Sequence, residues 1–447
     1  MLKRKIQTTI EHYLKSGSNK MLIVDGARQI GKSYIIREVG RRMFPNYIEL
    51  NFAKDKNGPQ IFKDANTVEK FYFQVSTVAG EKMKEKNNTL IFLDEIQTYP
   101  HLLTLAKFLE EDGRFTFIAS GSLLGVTLRQ TVSIPVGSVE IKHMYQLDFE
   151  EFLWANGFGE TAIGEMRKKY EAEEPLEENL HERLLDLFKR YLLIGGMPDA
   201  VNKYLETNNI VEVRKIQEDI HRLYGLDASQ YDEEHKLKIM KVYDMIPSFM
   251  ENKKKRVVYK SIEGNDKRWK DYADEFDYLI GSGIALDVKA IASPSFPLVE
   301  SASKTLVKMY LNDVGILTNI LYRYTVSAVL EDKVSVNLGS VYESVVASEL
   351  KAHGFELFYY DNKAKGEVDF IVDDYDQLSV LPIEVKSGKD YQIHHALNAF
   401  AANEDYKIKR GVVLSNERKV HSKGMITYMP IYYVMFIEHR VPDAIIL

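Results

Sequence analysis

Gly26-Ala27-Arg28-Gln29-Ile30-Gly31-Lys32-Ser33 decides how this chain is read. The stretch fits Gly-x-x-x-x-Gly-Lys-Ser without a gap. An apolar run, Met21-Leu22-Ile23-Val24, precedes it and reads as a buried strand. Tyr34-Ile35-Ile36-Arg37-Glu38-Val39 follows and reads as a helix. Strand, glycine loop and helix are the context of a phosphate-binding loop. The glycines let backbone N–H groups turn inward around a phosphate, and the helix N-terminus adds partial positive charge. Lys32 would reach the β- and γ-phosphates of ATP, and Ser33 would hold Mg²⁺. The bland alternative is a glycine turn that happens to precede a lysine.

A second motif lies downstream. Thr89-Leu90-Ile91-Phe92-Leu93 is an apolar run ending in Asp94-Glu95. It reads as a central parallel strand that delivers two carboxylates at its C-terminal end, where α/β sheets place their chemistry. Asp94 would orient Mg²⁺ through its water shell, and Glu95 would polarise the water that attacks the γ-phosphate. Without a phosphate loop upstream, the same residues would read as a strand ending in a solvated acidic turn. Phe115-Thr116-Phe117-Ile118-Ala119 is a further strand, ending in Ser120-Gly121-Ser122. Ser120 and Ser122 are candidates to sense the γ-phosphate, against an ordinary strand-to-loop transition. Tyr47 to Phe52 and Val139 to Met144 alternate and complete the sheet; Lys3 to Lys15 and Val68 to Lys86 carry helical patterns.

Composition bounds the alternatives. The 447 residues suggest about three domains at roughly 150 residues each. A hydrophobic fraction of 45% and a charged fraction of 28% are ordinary for globular proteins. A net charge of −6 gives no global pull towards nucleic acid or an acidic membrane. There is no cysteine, which excludes disulfides, thiolate-bound zinc and a thiol nucleophile. No run reaches the ~18 apolar residues of a membrane span. The expectation is a soluble, cytoplasmic protein with no membrane partner.

These motifs together are similar to those of the prokaryotic AAA-like ATP-binding proteins with a C-terminal domain of unknown function of PD-(D/E)XK nuclease-like appearance. The resemblance covers nearly the whole chain. It also rests on Gln146-Leu147-Asp148-Phe149-Glu150-Glu151-Phe152, on Tyr191-Leu192-Leu193-Ile194-Gly195-Gly196-Met197-Pro198, and on the Asp313-Val314-Gly315 turn. One position departs from the pattern. Where the family usually has Gly-Arg before the closing strand, this chain has Gly137-Ser138. An arginine that assists hydrolysis in relatives would have to be replaced by another, with Arg129 the candidate, or hydrolysis would be slow.

Beyond the nucleotide fold the expectations are finer. Residues 149–235, rich in helix formers, are placed as a helical lid. Leu237 to Asn252, a short helix near Val257, the turn at Gly264-Asn265-Asp266, a helix over Lys267 to Gly281 and alternating Ile284 to Val288 read as a winged helix-turn-helix. Lys253-Lys254-Lys255-Arg256, with Lys260, Lys267, Arg268 and Lys270, is a basic patch suited to DNA. Against DNA contact stand Asp271, Asp274, Glu275 and Asp277 on the helix that should enter the groove. A protein-packing wing therefore stays open beside it.

In the last part, Gly339 to Leu350 reads as a helix carrying Glu343, and three strands follow over Phe355–Tyr360, Glu367–Val372 and Leu381–Lys386. Asp369, then Glu384-x-Lys386 on the next strand, is the spacing of a restriction-endonuclease-like site. Alternation puts Glu384 and Lys386 on one face. Glu343, Asp369 and Glu384 would share Mg²⁺, and Lys386 would assist catalysis by holding a hydroxide or stabilising the phosphate.

The expected fold class is α/β: an N-terminal P-loop ATPase with a parallel sheet and helical lid, a winged helix-turn-helix middle, and a C-terminal restriction-endonuclease-like α/β domain. The boundaries are 1–148, 149–235, 236–300 and 301–447. The expected function is a Mg²⁺-dependent ATPase coupled to a nuclease-like domain that acts on or docks to nucleic acid. Its rival is an ATP-gated switch or scaffold for a protein partner, with an idle nuclease-like domain.

Overall fold

Five short runs rich in apolar residues become the parallel strands of the first sheet: β1 (Met21–Asp25), β2 (Asn46–Asn51), β3 (Thr89–Asp94), β4 (Thr116–Gly121) and β5 (Val139–His143). Their order across the sheet is β2-β3-β4-β1-β5. The strand β4 thus lies between the strand that precedes the phosphate loop and the strand that ends in Asp94-Glu95. Every residue of β3 is buried, as expected for a central strand covered on both faces. The computed structural model describes residues 2–83, 88–122, 136–231, 236–252, 255–264, 267–331, 338–362, 366–388, 392 and 394–439.

Contacts divide the chain into two compact units. The first spans Lys3–Tyr145 with Gly281–Gly283. Its core gathers Met21, Ile23, Leu50, Ile91, Leu93, Phe117 and Ala119 from the sheet, with Phe52 from the short helix after β2 and Phe71 and Val75 from the helix Val68–Ala79. That helix stops short of the expected Lys86 because Gly80 turns the chain at φ 54°.

The second unit holds Gln146–Ile280 and Ile284–Leu447. It is built on an eight-stranded mixed sheet with the order β12-β13-β11-β10-β9-β8-β6-β7. The strands are β6 (Ala285–Ile291), β7 (Ala302–Leu311), β8 (Phe358–Asn362), β9 (Gly366–Asp374), β10 (Ser379–Val385), β11 (Gly411–Ser415), β12 (His421–Lys423) and β13 (Ile426–Pro430). From the helix Gly339–Ala352 onward, the succession is helix, β8, β9, β10, helix His395–Ala401, β11. The strands β8, β9 and β10 pair antiparallel in series, and β11 adds parallel to β10.

Two expectations differ from this arrangement. The strand of the expected wing, β6, is interior: it pairs with β7 on one side and β8 on the other. The hairpin is therefore an extension of the large sheet, not a free-standing wing. A strand with two unsatisfied edges gains backbone hydrogen bonds by joining a sheet, and β6 does so across more than sixty residues of sequence. The helices at 149–231, expected as a lid, pack into the second unit. The helix Glu178–Ile194 lies against Val314–Tyr322, and Ile210–Tyr231 packs on the same helix.

A buried carboxylate clasps that helical layer. Asp313 caps the helix Val314–Tyr322, accepting from the Ile316 N–H at 3.0 Å, and accepts from the Gly196 N–H at 2.7 Å. A side chain at Gly196 would put its Cβ 2.0 Å from the Leu147 carbonyl oxygen, so only glycine allows this approach. Beside it, buried Arg214 donates to the carbonyls of Leu193 and Gly315, each at 3.0 Å. The two family-like turns, Gly195-Gly196-Met197-Pro198 and Asp313-Val314-Gly315, are thus halves of one structural contact. Among the described residues, no helix is long and apolar enough to cross a membrane.

Burial raises the Asp313 pKa to about 6, against the pull of its N–H donors. A carboxyl raised in the folded state is stabilising when protonated, so this contribution is present below pH ~4 and lost as pH rises through about 6. Asp313→Ala leaves two buried N–H groups without their acceptor. It should lower stability by about 2–6 kcal/mol in urea unfolding at neutral pH, at ~1–3 kcal/mol per orphaned group. Asp313→Asn should flatten stability between pH 4 and pH 6.

Candidate active site

The first site is built at the C-terminal ends of β1, β3 and β4. After β1 the chain passes through Gly26 at φ 133°, where a Cβ would stand 2.2 Å from the Met144 carbonyl oxygen. Gly31, with no side chain to offer, occupies the N-cap of the helix Lys32–Met43. The first-turn N–H groups therefore receive no cap from it, which leaves the end of the helix suited to an anion. Arg4 braces the loop from behind, donating to the carbonyls of Ile30 at 3.0 Å and Tyr145 at 2.6 Å.

Lys32 is buried and curls back over the loop. Its ammonium donates to the carbonyls of Gly26 at 2.9 Å and Ala27 at 2.7 Å, and to Ser122 Oγ at 3.3 Å. Burial pulls its pKa down to about 8, while Glu95 and Asp25 pull the other way. Of the other loop residues, Ala27 and Ile30 are buried, Arg28 is partly exposed, and Gln29 takes φ 65°.

Asp94 is the knot of the site. Its Oδ1 accepts from Ser33 Oγ at 2.6 Å and from Ser120 Oγ at 2.6 Å, and its Oδ2 accepts from Asn51 Nδ2 at 2.8 Å. A serine hydroxyl and a carboxylate in contact are a hard oxygen pair, so these residues fit Mg²⁺. Glu95 follows in a left-handed conformation, φ 59°, which turns it out of the strand. Gln97 donates to its carboxylate, and Ser122 Oγ stands 3.5 Å from it. The structure thus brings Lys32, Ser33, Asp94, Glu95, Ser120 and Ser122 together. Asn51 and Gln97 join them without having been singled out in the sequence. Asn51 is opposite Asp94 only through the β2–β3 register, which a strand pattern alone does not reveal. Arg129 lies outside the described residues, and Ser138 is buried in a short 3₁₀ turn before β5.

The second site lies on the large sheet. The β9–β10 register pairs Phe370 with Ile383, and one step further Asp369 stands opposite Glu384 on the same face. Asp369 Oδ2 accepts from the Val385 N–H at 2.9 Å, and Lys386 Nζ meets Glu384 Oε1 at 2.8 Å. Among the described residues, Glu384 Oε2 is buried with no hydrogen-bond donor. Burial, then Glu384 and Glu343, raise Asp369 well above the usual carboxylate range. Burial also raises Glu384, against the opposing pull of Lys386.

Glu343 corrects an expectation. It was to complete a three-carboxylate set for Mg²⁺ with Asp369 and Glu384. Among the described residues, however, no three Asp, Glu or His side chains group as metal ligands. Glu343 is held by cations instead: Lys255 contacts Oε1, Lys308 stands 3.8 Å from Oε2, and Tyr310 donates to Oε2 at 3.1 Å. Burial works to raise its pKa, but Lys308 and Lys255 outweigh it and hold the group ionised. Lys308 is fully buried and also pairs with Glu367 at 2.5 Å. A buried carboxylate is stable as an ion only with such partners. The basic patch is altered by the same contacts. Lys255 pairs with Glu343 and Arg256 with Asp361, while Lys253 and Lys254 lie outside the described residues.

Comparisons with known proteins follow this division. Residues 18–153 match a family model described as an AAA domain. Residues 185–325 and 338–434 match two domains of unknown function, DUF8612 and DUF4143. No curated protein matches the sequence. Among solved structures, a Walker-type ATPase of Pyrococcus abyssi is 12% identical, with a TM-score of 0.43 over 71% of this chain and 95% of that one. The RuvB Holliday junction branch migration motor of Thermotoga maritima is 14% identical, with a TM-score of 0.26 over 64% and 88%. Cdc6p from Pyrobaculum aerophilum is 9% identical, with a TM-score of 0.25 over 74% and 96%. The first unit is an AAA-like P-loop domain of the class that binds and hydrolyses ATP. Lys32→Ala should abolish measurable ATP binding in calorimetry, because the loop loses the ammonium placed among its carbonyls.

Proposed function

We propose that the chain is a Mg²⁺-dependent ATPase with its catalytic groups at the ends of β1, β3 and β4. The observation that carries this reading is Asp94, which accepts from Ser33 and Ser120 at 2.6 Å each, beside a buried Lys32. In this reading Lys32 balances the β- and γ-phosphate charge, and the backbone from Gly26 to Ser33 cradles the phosphates. Ser33 and Asp94 hold Mg²⁺, which when bound neutralises charge on the phosphate oxygens. Glu95 accepts the proton of the attacking water, with Gln97 orienting its carboxylate. Ser120 and Ser122 report the γ-phosphate to β4.

For the second unit we propose a nuclease-like core. Support comes from the order helix, three antiparallel strands, helix, parallel strand, and from Asp369, Glu384 and Lys386 on one face. There Asp369 and Glu384 would hold Mg²⁺ and Lys386 would stabilise a phosphate, in a domain that acts on or docks to nucleic acid. The helices Lys236–Glu251, Tyr259–Glu263 and Ala273–Gly281 keep the helical order of a winged helix-turn-helix. Lys255 and Arg256 are spent on internal pairs, which weakens DNA contact there. A second reading, an ATP-gated switch or scaffold with an idle nuclease-like domain, is favoured by the cations that hold Glu343.

Glu95→Gln should keep ATP affinity and slow hydrolysis by ~10²-fold or more, as expected when a general base is lost. An unchanged rate of phosphate release would remove Glu95 from the chemistry. Incubation of DNA with the wild type and Mn²⁺ should give cleavage that Asp369→Ala abolishes. Absence of cleavage by the wild type, with ATP and without, would leave the scaffold reading.

A further inference from the structure

The end of the large sheet away from Asp369 and Glu384 carries a cavity. Its volume is about 340 Å³, within the range of small-molecule sites. Asp373 lines it, four residues beyond Asp369 on β9, which is roughly 13 Å further along the strand at about 3.3 Å per residue. The turn after β9, the end of the helix Glu160–Glu171 and the segment Phe436–His439 form much of its wall. Six carboxylates and two arginines line it, so the lining is net negative. Both arginines are engaged: Arg410 Nε meets Asp374 Oδ2 at 2.9 Å, and Arg167 contacts Glu438. Asp373 is compensated differently. Its Oδ1 accepts from the Leu298 N–H at 3.0 Å, and among the described residues no lysine or arginine pairs with it. Partial burial raises its pKa, against the pull of that N–H and of His439.

The rest of the wall is aromatic. The His439 ring stands 4.0 Å from that of Phe355 and 5.5 Å from that of Tyr375, and Tyr170 lies 5.5 Å from Phe436, centroid to centroid. The cavity already holds one guanidinium between a ring and a carboxylate: Arg167 lies 4.8 Å over the Phe436 ring while it contacts Glu438. An aromatic face opposite a carboxylate is an environment that attracts cations. We propose that this cavity binds an organic cation, a guanidinium or primary ammonium on a short apolar stem, with Asp373 as its counter-ion and the rings of Phe355 and Tyr375 against the stem. An anion would meet arginines that are already paired and carboxylates that repel it. A bare metal ion finds no set of three ligands among the described residues, and the rings offer it no oxygen. The same cationic chemistry comes from a free small molecule or from an arginine or lysine side chain of another polypeptide.

The test is calorimetric titration of the full chain with two probes, agmatine and N-acetylarginine amide, and with N-acetylcitrulline amide as the neutral isostere of the second. At least one cationic probe should bind, and the citrulline derivative should not. Tighter binding of agmatine would identify a free small cation as the ligand; tighter binding of the capped arginine would identify a polypeptide side chain. Asp373→Asn keeps an acceptor for the Leu298 N–H and should weaken the bound probe at least ~10-fold, by loss of a charge-assisted contact. Tyr375→Ala removes an exposed ring and should weaken it by roughly 3-fold, the effect of one cation–π contact at an open site. If Asp373→Asn unfolds, the Tyr375→Ala variant and the citrulline comparison still decide the matter. Binding of neither cation by the wild type, equal binding of the citrulline derivative, or unchanged affinity in a folded Asp373→Asn would each overturn the proposal.

Discussion

The carboxylate of Asp94 is the interaction on which the first unit turns. Three elements end on it: the helix after the phosphate loop through Ser33, β2 through Asn51, and β4 through Ser120. Hydrogen bonds to an ionised group are worth about 1.5–3 kcal/mol each, and a buried charge with fewer would be costly. The strand order makes this convergence possible. With β4 inserted between β1 and β3, the ends of all three strands open on one edge, and the loop after β1 folds over them. In the proposed reading, the knot that holds the strand ends is also where β2 and β4 would feel a change at the nucleotide.

The second unit solves a different problem. Burying Lys308 and Glu384 on the sheet and Glu343 on the helix Gly339–Ala352 demands compensation, and the pairs Lys255–Glu343, Lys308–Glu367 and Lys386–Glu384 supply it. Such pairs are weak stabilisers, because desolvation consumes most of their Coulomb energy. An apolar cluster would serve stability better. These buried charges, beside a Glu384 oxygen with no donor among the described residues, are the features on which the proposed chemistry of the second unit rests.

What the sequence made legible follows from range. The phosphate loop, β3 with Asp94-Glu95, and the strand ending in Ser120 are local patterns, and each lies where the apolar runs put it. Asp369 and Glu384 could be related because neighbouring antiparallel strands separate them by a short turn. The roles of Asn51, Lys255 and Lys308 were not legible, since each depends on a partner brought in by register or by a distant strand. The same limit hid the fate of β6. Its alternation fits a wing equally well, and only pairing with β8 draws it into the large sheet.

That sheet has two edges, and each is handled differently. On one side β12 is only three residues long. On the other, β7 is ten residues long, the kind of edge that invites another chain to add a strand. The Val257 N–H and the Tyr259 hydroxyl occupy the carbonyls of Val307 and Thr305 along it. The connection that carries Lys255 thus also serves as edge cover. Without that cover the carbonyls of Val307 and Thr305 would be open to a strand from another chain.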